Sequence, residues 1–169
     1  MVDWFLAHGA DPNATCLRLD WNPLGVAVAR APMSTIKKLF DHGGSIEHGQ
    51  LLHAAAKRVH DDRVEVLNFI LSKGADVNEV EFQRYSRSYA FQKWMWLGTP
   101  LHYATDHSYI DVARRLLEHG ANPLIRDSKG QTVLERAKRL GQVQMYEMLQ
   151  AASDAASPPE FQFTDGQLG

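Results

Sequence analysis

The sequence predicts an all-α solenoid, in which stacked helix-turn-helix units carry projecting hairpin loops and one long inserted loop. Two alternating phrases support this fold class. The first phrase recurs at 9–13, 43–46, 74–78 and 120–123. The second phrase recurs at 22–25, 50–53, 99–102 and 132–135. Copies of the first phrase begin 34, 31 and 46 residues apart. A period of about 33 residues therefore accounts for nearly the whole chain, with one insertion of about 13 residues.

Turn and helix signals place the elements of the first full repeat. Pro23 can begin a helix because its missing N–H would have no partner there, and Pro32 ends that helix. Ile36 and Leu39 then recur at helical spacing, which predicts a buried stripe on a second helix. Gly43 ends the second helix in the left-handed conformation. The same plan predicts a half repeat over 1–13, repeats over about 20–46, 49–78, 98–124 and 130–152, an insertion over 79–97 and a flexible tail over 153–169.

The N-terminal half repeat corresponds to the second helix of a unit, with Trp4, Phe5 and Leu6 expected at buried positions. A terminal unit normally needs a polar outer face, whereas this one would present an apolar edge. We therefore expect the chain to be part of a longer array or the product of a gene prediction that starts late. Self-association through this edge is an alternative that the sequence leaves open.

The repeat phrases also indicate a family. Thr99-Pro100-Leu101-His102-Tyr103-Ala104 and Gly74-Ala75-Asp76-Val77-Asn78 resemble the two signature phrases of ankyrin repeats, and the resemblance covers about residues 1–152. Gly25, Leu51 and the segment 133–135 depart from the signature, which predicts altered local hydrogen bonding but the same fold. The resemblance implies stacked helix pairs and protein binding through the loops and first helices. It implies no particular partner.

The insertion over 79–97 is the sharpest departure from the period. Val80 and Phe82, and again Trp94 and Trp96, alternate with other residues, which is compatible with an extended hairpin finger. Long loops in compact arrays are usually functional or disordered, and aromatic and arginine side chains supply most binding hot spots. The alternatives are that the aromatic residues pack on neighbouring helices or that the loop is mobile. The predicted partner-binding residues are Phe82, Tyr85, Arg87, Tyr89, Phe91, Trp94 and Trp96 in the insertion and Arg18, Trp21, Arg126 and Lys129 in loops expected on the same side.

The sequence predicts no catalytic, metal or cofactor site. Of eight histidines, five follow the repeat: His8, His42 and His119 precede the stop glycines, and His53 and His102 belong to the second phrase. Asp61, Asp62 and Glu65 are expected to cap a helix. No nucleotide-binding or nucleophile motif occurs. We therefore predict a non-enzymatic protein-interaction module; the alternative is a regulatory or substrate-recruiting part of a larger multidomain protein or enzyme.

Composition agrees with a globular chain of ordinary polarity. Hydrophobic residues make up 44% and charged residues 22%, and the net charge is -2. This balance argues against nucleic-acid and membrane partners. Without a signal peptide or a membrane-length apolar run, an intracellular location, cytoplasmic or nuclear, is expected. Cys16 is the single cysteine, so an intramolecular disulfide is excluded.

Overall fold

The structure, a computed structural model, describes residues 1–15, 21–92 and 94–156. The predicted contact residue Arg18, the single cysteine Cys16 and the tail from 157 onwards lie outside these ranges. So do the side chains of Arg87 and Phe91, although their backbone is described.

The described residues form an all-α fold and contain no strand, as the sequence predicts. The helices are α1 (Val2–Ala7), α2 (Pro23–Arg30), α3 (Met33–Asp41), α4 (Leu51–Ala56), α5 (Arg63–Ser72), α6 (Ser86–Gln92), α7 (Pro100–Asp106), α8 (Ile110–Glu118), α9 (Val133–Arg139) and α10 (Val143–Ala156). Each first helix, α2, α4, α7 or α9, pairs with the second helix that follows it. The first helices also contact one another in turn along the array.

The core runs through the interior of this stack. Its fully buried side chains include Leu24, Ile36, Leu67, Leu101 and Leu116, one or more from each of the first three repeats. Ile36 and Leu39, predicted as a buried stripe, are 0% and 6% exposed. The core is therefore continuous across the repeats, as expected when each unit buries its apolar face against its neighbours.

The helix starts explain why some repeats depart from the signature. In the last repeat, Thr132 Oγ1 accepts from the Glu135 backbone N–H, and the Glu135 carboxylate accepts from the Thr132 N–H at 2.9 Å. In the third repeat, His102 Nδ1 accepts from the Thr99 N–H at 3.2 Å. Glutamate thus takes the place of histidine in the same reciprocal cap. Local hydrogen bonding changes there while the helix start is preserved.

Gly25 has a different reason to replace the histidine. A Cβ atom at this position would lie 2.5 Å from the Gly49 carbonyl oxygen. The loop before α4 therefore approaches α2 too closely for a side chain. Asn22 caps α2 by accepting from the Gly25 N–H at 2.7 Å.

At the N-terminal end, the expected burial of Trp4 and Phe5 is wrong. Trp4 and Phe5 are 60% and 51% exposed, and no residue of α1 is buried. Beside Phe5 lies an open groove of about 500 Å³ between α1 and α2, and no described helix covers it. Leu6 does pack against the core. At the other end, α10 continues to Ala156 and so includes residues 153–156 of the expected tail, while the rest of that segment lies outside the described residues.

Candidate protein-interaction surface

The insertion does not form the predicted hairpin finger. Residues 81–84 form turns, Phe82 adopts a positive φ of 62°, and α6 follows. The Tyr89 N–H donates to the Tyr85 carbonyl at 2.8 Å, which is a helical bond. A positive φ interrupts an extended chain, so alternation of aromatic residues is not evidence of a strand here. The Glu81 N–H donates to the Gly98 carbonyl at 3.0 Å and closes the base of the insertion.

Phe82 lies inside the molecule. It is 2% exposed and forms a small apolar cluster with Val80 and Leu97, against which Tyr89 packs. Its backbone N–H donates to Gln50 Oε1 at 3.0 Å. Phe82 is therefore a packing residue, and its ring does not lie at the surface where the sequence analysis placed a partner contact.

Trp96 folds back onto the first helices. Its ring meets the Tyr103 ring edge-on at 4.6 Å, and the Arg136 guanidinium lies 3.8 Å from the centre of the indole. Its indole N–H donates to the Asp127 carboxylate, which also pairs with Arg136. Trp96 thus covers the exposed side of α7 and α9. Trp96 therefore follows the alternative in which aromatic residues of the insertion pack on neighbouring helices.

Glu81 joins the insertion to the first helices through charge. It is 6% exposed, and its carboxylate accepts from Lys57 Nζ at 2.5 Å and from the Tyr103 hydroxyl. Burial, assisted by the Glu81 charge, raises the pKa of Tyr103 well above its usual range. The Tyr103 hydroxyl therefore stays protonated and keeps donating to Glu81.

Trp94 and Met95 project from the end of the insertion. Their exposed fractions are 71% and 47%. Their backbone is nevertheless anchored, because Lys129 Nζ donates to the Trp94 carbonyl at 2.9 Å and Ser128 Oγ donates to the Met95 carbonyl at 3.3 Å. The Leu97 N–H in turn donates to Ser128 Oγ at 3.0 Å. The structure thus brings two predicted residues, Trp94 and Lys129, into contact.

The remaining predicted residues are spread over neighbouring surfaces. Tyr85 is half-buried and its hydroxyl donates to the Glu47 carbonyl. Arg126 is exposed and donates to the Gly130 carbonyl at 2.6 Å, with Glu135 at 3.5 Å. Trp21 is 54% exposed and lies at the other end of the first-helix face, beside α2.

Sequence reasoning missed Met95, Lys57 and Glu81. Met95 lies between two tryptophans, and this position could have indicated that it belongs to the candidate surface. Lys57 and Glu81 meet across a separation of 24 residues, which no local pattern reports.

The histidines that follow the repeat have structural roles. Nδ1 of His8, His42 and His119 donates to the carbonyl four residues earlier, at 2.7, 2.9 and 2.8 Å. Nε2 of His53 and of His102 donates to a loop carbonyl, of Glu79 at 3.0 Å and of Gln131 at 3.1 Å. Within the described ranges, no three His, Cys, Asp or Glu side chains converge as a metal site would require.

The loops and helix starts recur from repeat to repeat, and a known repeat family matches the same part of the chain. The ankyrin repeat matches this chain over residues 51–81 and again over 98–128. The chain is an ankyrin-repeat protein. The matched spans are the second and third full repeats, where the signature phrases are most complete.

The relatives found for this ankyrin-repeat chain are much longer proteins. It is 30% identical to the mitochondrial disaggregase of Bos taurus, over 81% of this chain and 19% of that protein. It is 30% identical to a Caenorhabditis elegans homolog of ankyrin repeat and LEM domain-containing protein 1, over 69% of this chain and 15% of that protein. It is 28% identical to the palmitoyltransferase AKR1 of Lachancea kluyveri, over 64% of this chain and 14% of that protein. The chain thus spans less than a fifth of each relative.

Ankyrin repeats are protein-interaction modules, and this sets the general function of the chain. The enzymes among its relatives match it over only a small part of their length. Across the part of the chain that the structure describes, every helix is too short or too polar to span a bilayer.

Proposed function

We propose that this ankyrin-repeat chain is a non-enzymatic module whose partner-binding surface centres on Trp94 and Met95. The observation that carries the proposal is a tryptophan that is 71% exposed on a backbone held by side chains of another loop. Tryptophan is among the residues most enriched at binding hot spots. Because its backbone is anchored before binding, less conformational entropy is lost on association.

The surroundings of Trp94 support the same proposal. Lys129 is exposed and contacts the Trp94 backbone, so a charged side chain borders the apolar centre, as at the polar rim of a protein interface. Trp96 and Phe82 contribute by packing the insertion against the array. Arg18, Arg87 and Phe91 stay proposed contact residues whose side chains lie outside the described part.

A second candidate is recruitment or regulation within a larger protein. The relatives named as a disaggregase and a palmitoyltransferase favour it, because each contains a match to this chain within a much longer sequence. In that case the same surface would bind a substrate or another domain of the larger protein. Sequencing full-length transcripts of the gene tests this candidate, and an in-frame catalytic domain would support it.

The apolar groove beside α1 supports a further proposed interaction, self-association. Phe5 and Val2 line it and are exposed. Sedimentation velocity over a range of concentrations tests this interaction, and a constant monomer mass would exclude it.

The main proposal is tested by affinity capture from native lysate followed by mass spectrometry. The wild-type chain is compared with Trp94→Ala and with a matched control, Trp4→Ala, which removes another tryptophan that is 60% exposed. Each variant is first checked for folding by circular dichroism. A protein retained by wild type and Trp4→Ala but lost by Trp94→Ala supports the placement. Equal retention by all three chains would place binding elsewhere.

A further inference from the structure

The first-helix face of the array is covered at one end and open at the other. The fifth position of the second phrase lies on this face and is occupied by Val26, Ala54, Tyr103 and Arg136 in successive repeats. Trp96 covers Tyr103 and Arg136. Between α2 and α4, where the equivalent residues are small, the structure has instead a pocket of about 100 Å³.

The walls of this pocket are mostly apolar. Val26 and Ala29 line it from α2, Ala54 lines it from α4, and the Trp21 ring flanks it. Trp21 and Val26 are 54% and 45% exposed, which is high for such side chains in a repeat face. Covering them would remove apolar surface from water, which favours an apolar occupant.

The rim of the pocket carries an ion pair, in which Lys57 Nζ lies 2.5 Å from a Glu81 carboxylate oxygen and 3.8 Å from the centre of the Tyr103 ring. Lys57 and Glu81 both line it, but their exposure differs: the Lys57 side chain is 32% exposed and the Glu81 side chain 7%. Both oxygens of Glu81 already accept hydrogen bonds, from Lys57 and from Tyr103. An ammonium has three donors, so Lys57 can also bind an anion that approaches from outside.

The array itself contains a comparable arrangement. Trp96, a side chain of the insertion, lies on Tyr103 at the fifth position of the third repeat and beneath the Arg136 guanidinium of the next. An apolar side chain beside a cation is therefore already accommodated on this face. The pocket between α2 and α4 repeats the combination with smaller walls and Lys57 as the cation.

We propose that this pocket binds one aliphatic side chain, leucine, isoleucine or methionine, from a partner segment that carries an aspartate or glutamate beside it. The inference rests on the proposed protein-binding function and names the chemistry of the partner. An enclosed cavity that holds benzene measures about 150 Å³. The pocket is smaller, at about 100 Å³, so its volume favours an aliphatic side chain over an aromatic ring. The acidic neighbour is selected by the exposed charge of Lys57.

The test begins with selection of binders to the whole chain from a random peptide library displayed on phage. Selected peptides are synthesised, and their binding is measured by fluorescence anisotropy. Ala54→Leu fills the pocket, and Ala29→Leu fills it from the other helix in case the first variant does not fold. Lys57→Gln removes the charge. Val143→Ala changes a residue of α10 that is 68% exposed, and it is the control outside both proposed surfaces. Trp94→Ala is included to report on the Trp94 surface.

We expect the selected peptides to share an aliphatic residue next to an acidic one. A filled pocket should weaken their binding by about tenfold or more, since the anchor is excluded. Lys57→Gln should weaken binding and reduce its dependence on salt. Val143→Ala should leave binding of the selected peptides unchanged.

Three outcomes would overturn the pocket proposal: no selected peptide depends on the pocket, the peptides share a different pattern, or the filled variants bind as wild type does. Peptides that lose affinity with Trp94→Ala alone would overturn the pocket while supporting the Trp94 surface. Failure of the protein-binding function itself is recognised separately, by the lysate comparison of Trp94→Ala with Trp4→Ala.

Discussion

The asparagine that ends the loop phrase connects neighbouring repeats. Asn13 Nδ2 donates to the Gly43 carbonyl at 2.8 Å, and its Oδ1 accepts from the Ser45 N–H at 2.8 Å. Asn78 makes the same pair of bonds with Gly120 and Asn122, at 3.1 and 2.7 Å. The recurrence of asparagine could be read from the sequence. Its partners could not, because they belong to the next repeat.

Replacing Asn78 with alanine should therefore loosen the junction between two repeats. Both bonds would be lost, and we expect the free energy of unfolding to fall by about 1–3 kcal/mol. Urea denaturation followed by circular dichroism measures this change. Asn122→Ala is the control, since the Asn122 side chain accepts from the Leu124 N–H of its own loop. Equal losses in the two variants would argue against a special role for the inter-repeat bonds.

Trp94 and Trp96 are two residues apart, but truncating them should change the free energy of unfolding by very different amounts. Trp94→Ala removes a side chain that is 71% exposed, so the free energy of unfolding should change by no more than about 0.5 kcal/mol. Trp96→Ala removes the contacts with Tyr103 and Arg136 and should cost about 3 kcal/mol. Thermal unfolding of both variants measures the contrast. A larger loss for Trp94 would reverse their assigned roles.

His53 should make stability depend on pH. Burial lowers its pKa to about 4, with Lys57 contributing and Glu81 opposing. In the unfolded chain the pKa is near 6.5, so the unfolded state binds more protons between these values. Stability is then fully present above pH of about 6.5 and falls as the pH drops towards 4, by on the order of 3 kcal/mol.

The measurement is the free energy of unfolding in urea across this pH range. His53→Gln is the comparison, because a neutral side chain at this position cannot titrate. The variant should show a smaller pH dependence. Some dependence should persist, since burial also lowers the pKa of His102. An unchanged profile in His53→Gln would show that other groups produce the effect.

At the scale of elements, the regular repeats were predictable and the insertion was not. The helix starts at Pro23, Pro100 and Val133 follow local capping chemistry that short sequence patterns report. In the insertion, the alternation of Val80 and Phe82 suggested a strand, but the chain turns there and α6 follows. The positive φ of Phe82, which interrupts the extended chain, had no signal in the sequence.

The insertion should also have two parts that differ in their effect on stability. Its base contributes Glu81, Phe82 and Trp96 to packing, so replacing 80–96 with a short turn should lower the melting temperature markedly. Replacing only 84–92 with a Gly/Ser linker should keep the base and have a smaller effect. Differential scanning calorimetry of the two replacement variants measures their melting temperatures. A wild-type melting temperature after removal of 80–96 would show that the insertion is independent of the array.

At the scale of the molecule, periodicity predicted the architecture because each repeat packs mainly against its neighbours. One complete copy of each phrase therefore predicts the structure of the less complete copies. The candidate surface was less predictable. Lys129 reaches Trp94 across 35 residues, and Trp96 reaches Asp127 across 31. These contacts interrupt the period, so no repeat-based argument could separate the exposed tryptophan from the packed one.

The same nearest-neighbour logic predicts that stability varies along the array. No residue of α1 is buried, whereas α4 and α7 have a first helix on each side and share the Lys57–Glu81–Tyr103 contacts. Local opening is cheapest where few apolar contacts are lost. Amide hydrogen exchange followed by mass spectrometry should therefore show α1 exchanging first and α4 and α7 last. Protection of α1 equal to that of α7 would contradict this order. Protection of α1 that rose with protein concentration would instead indicate that a second copy covers the groove, because association stabilises only the state that it buries.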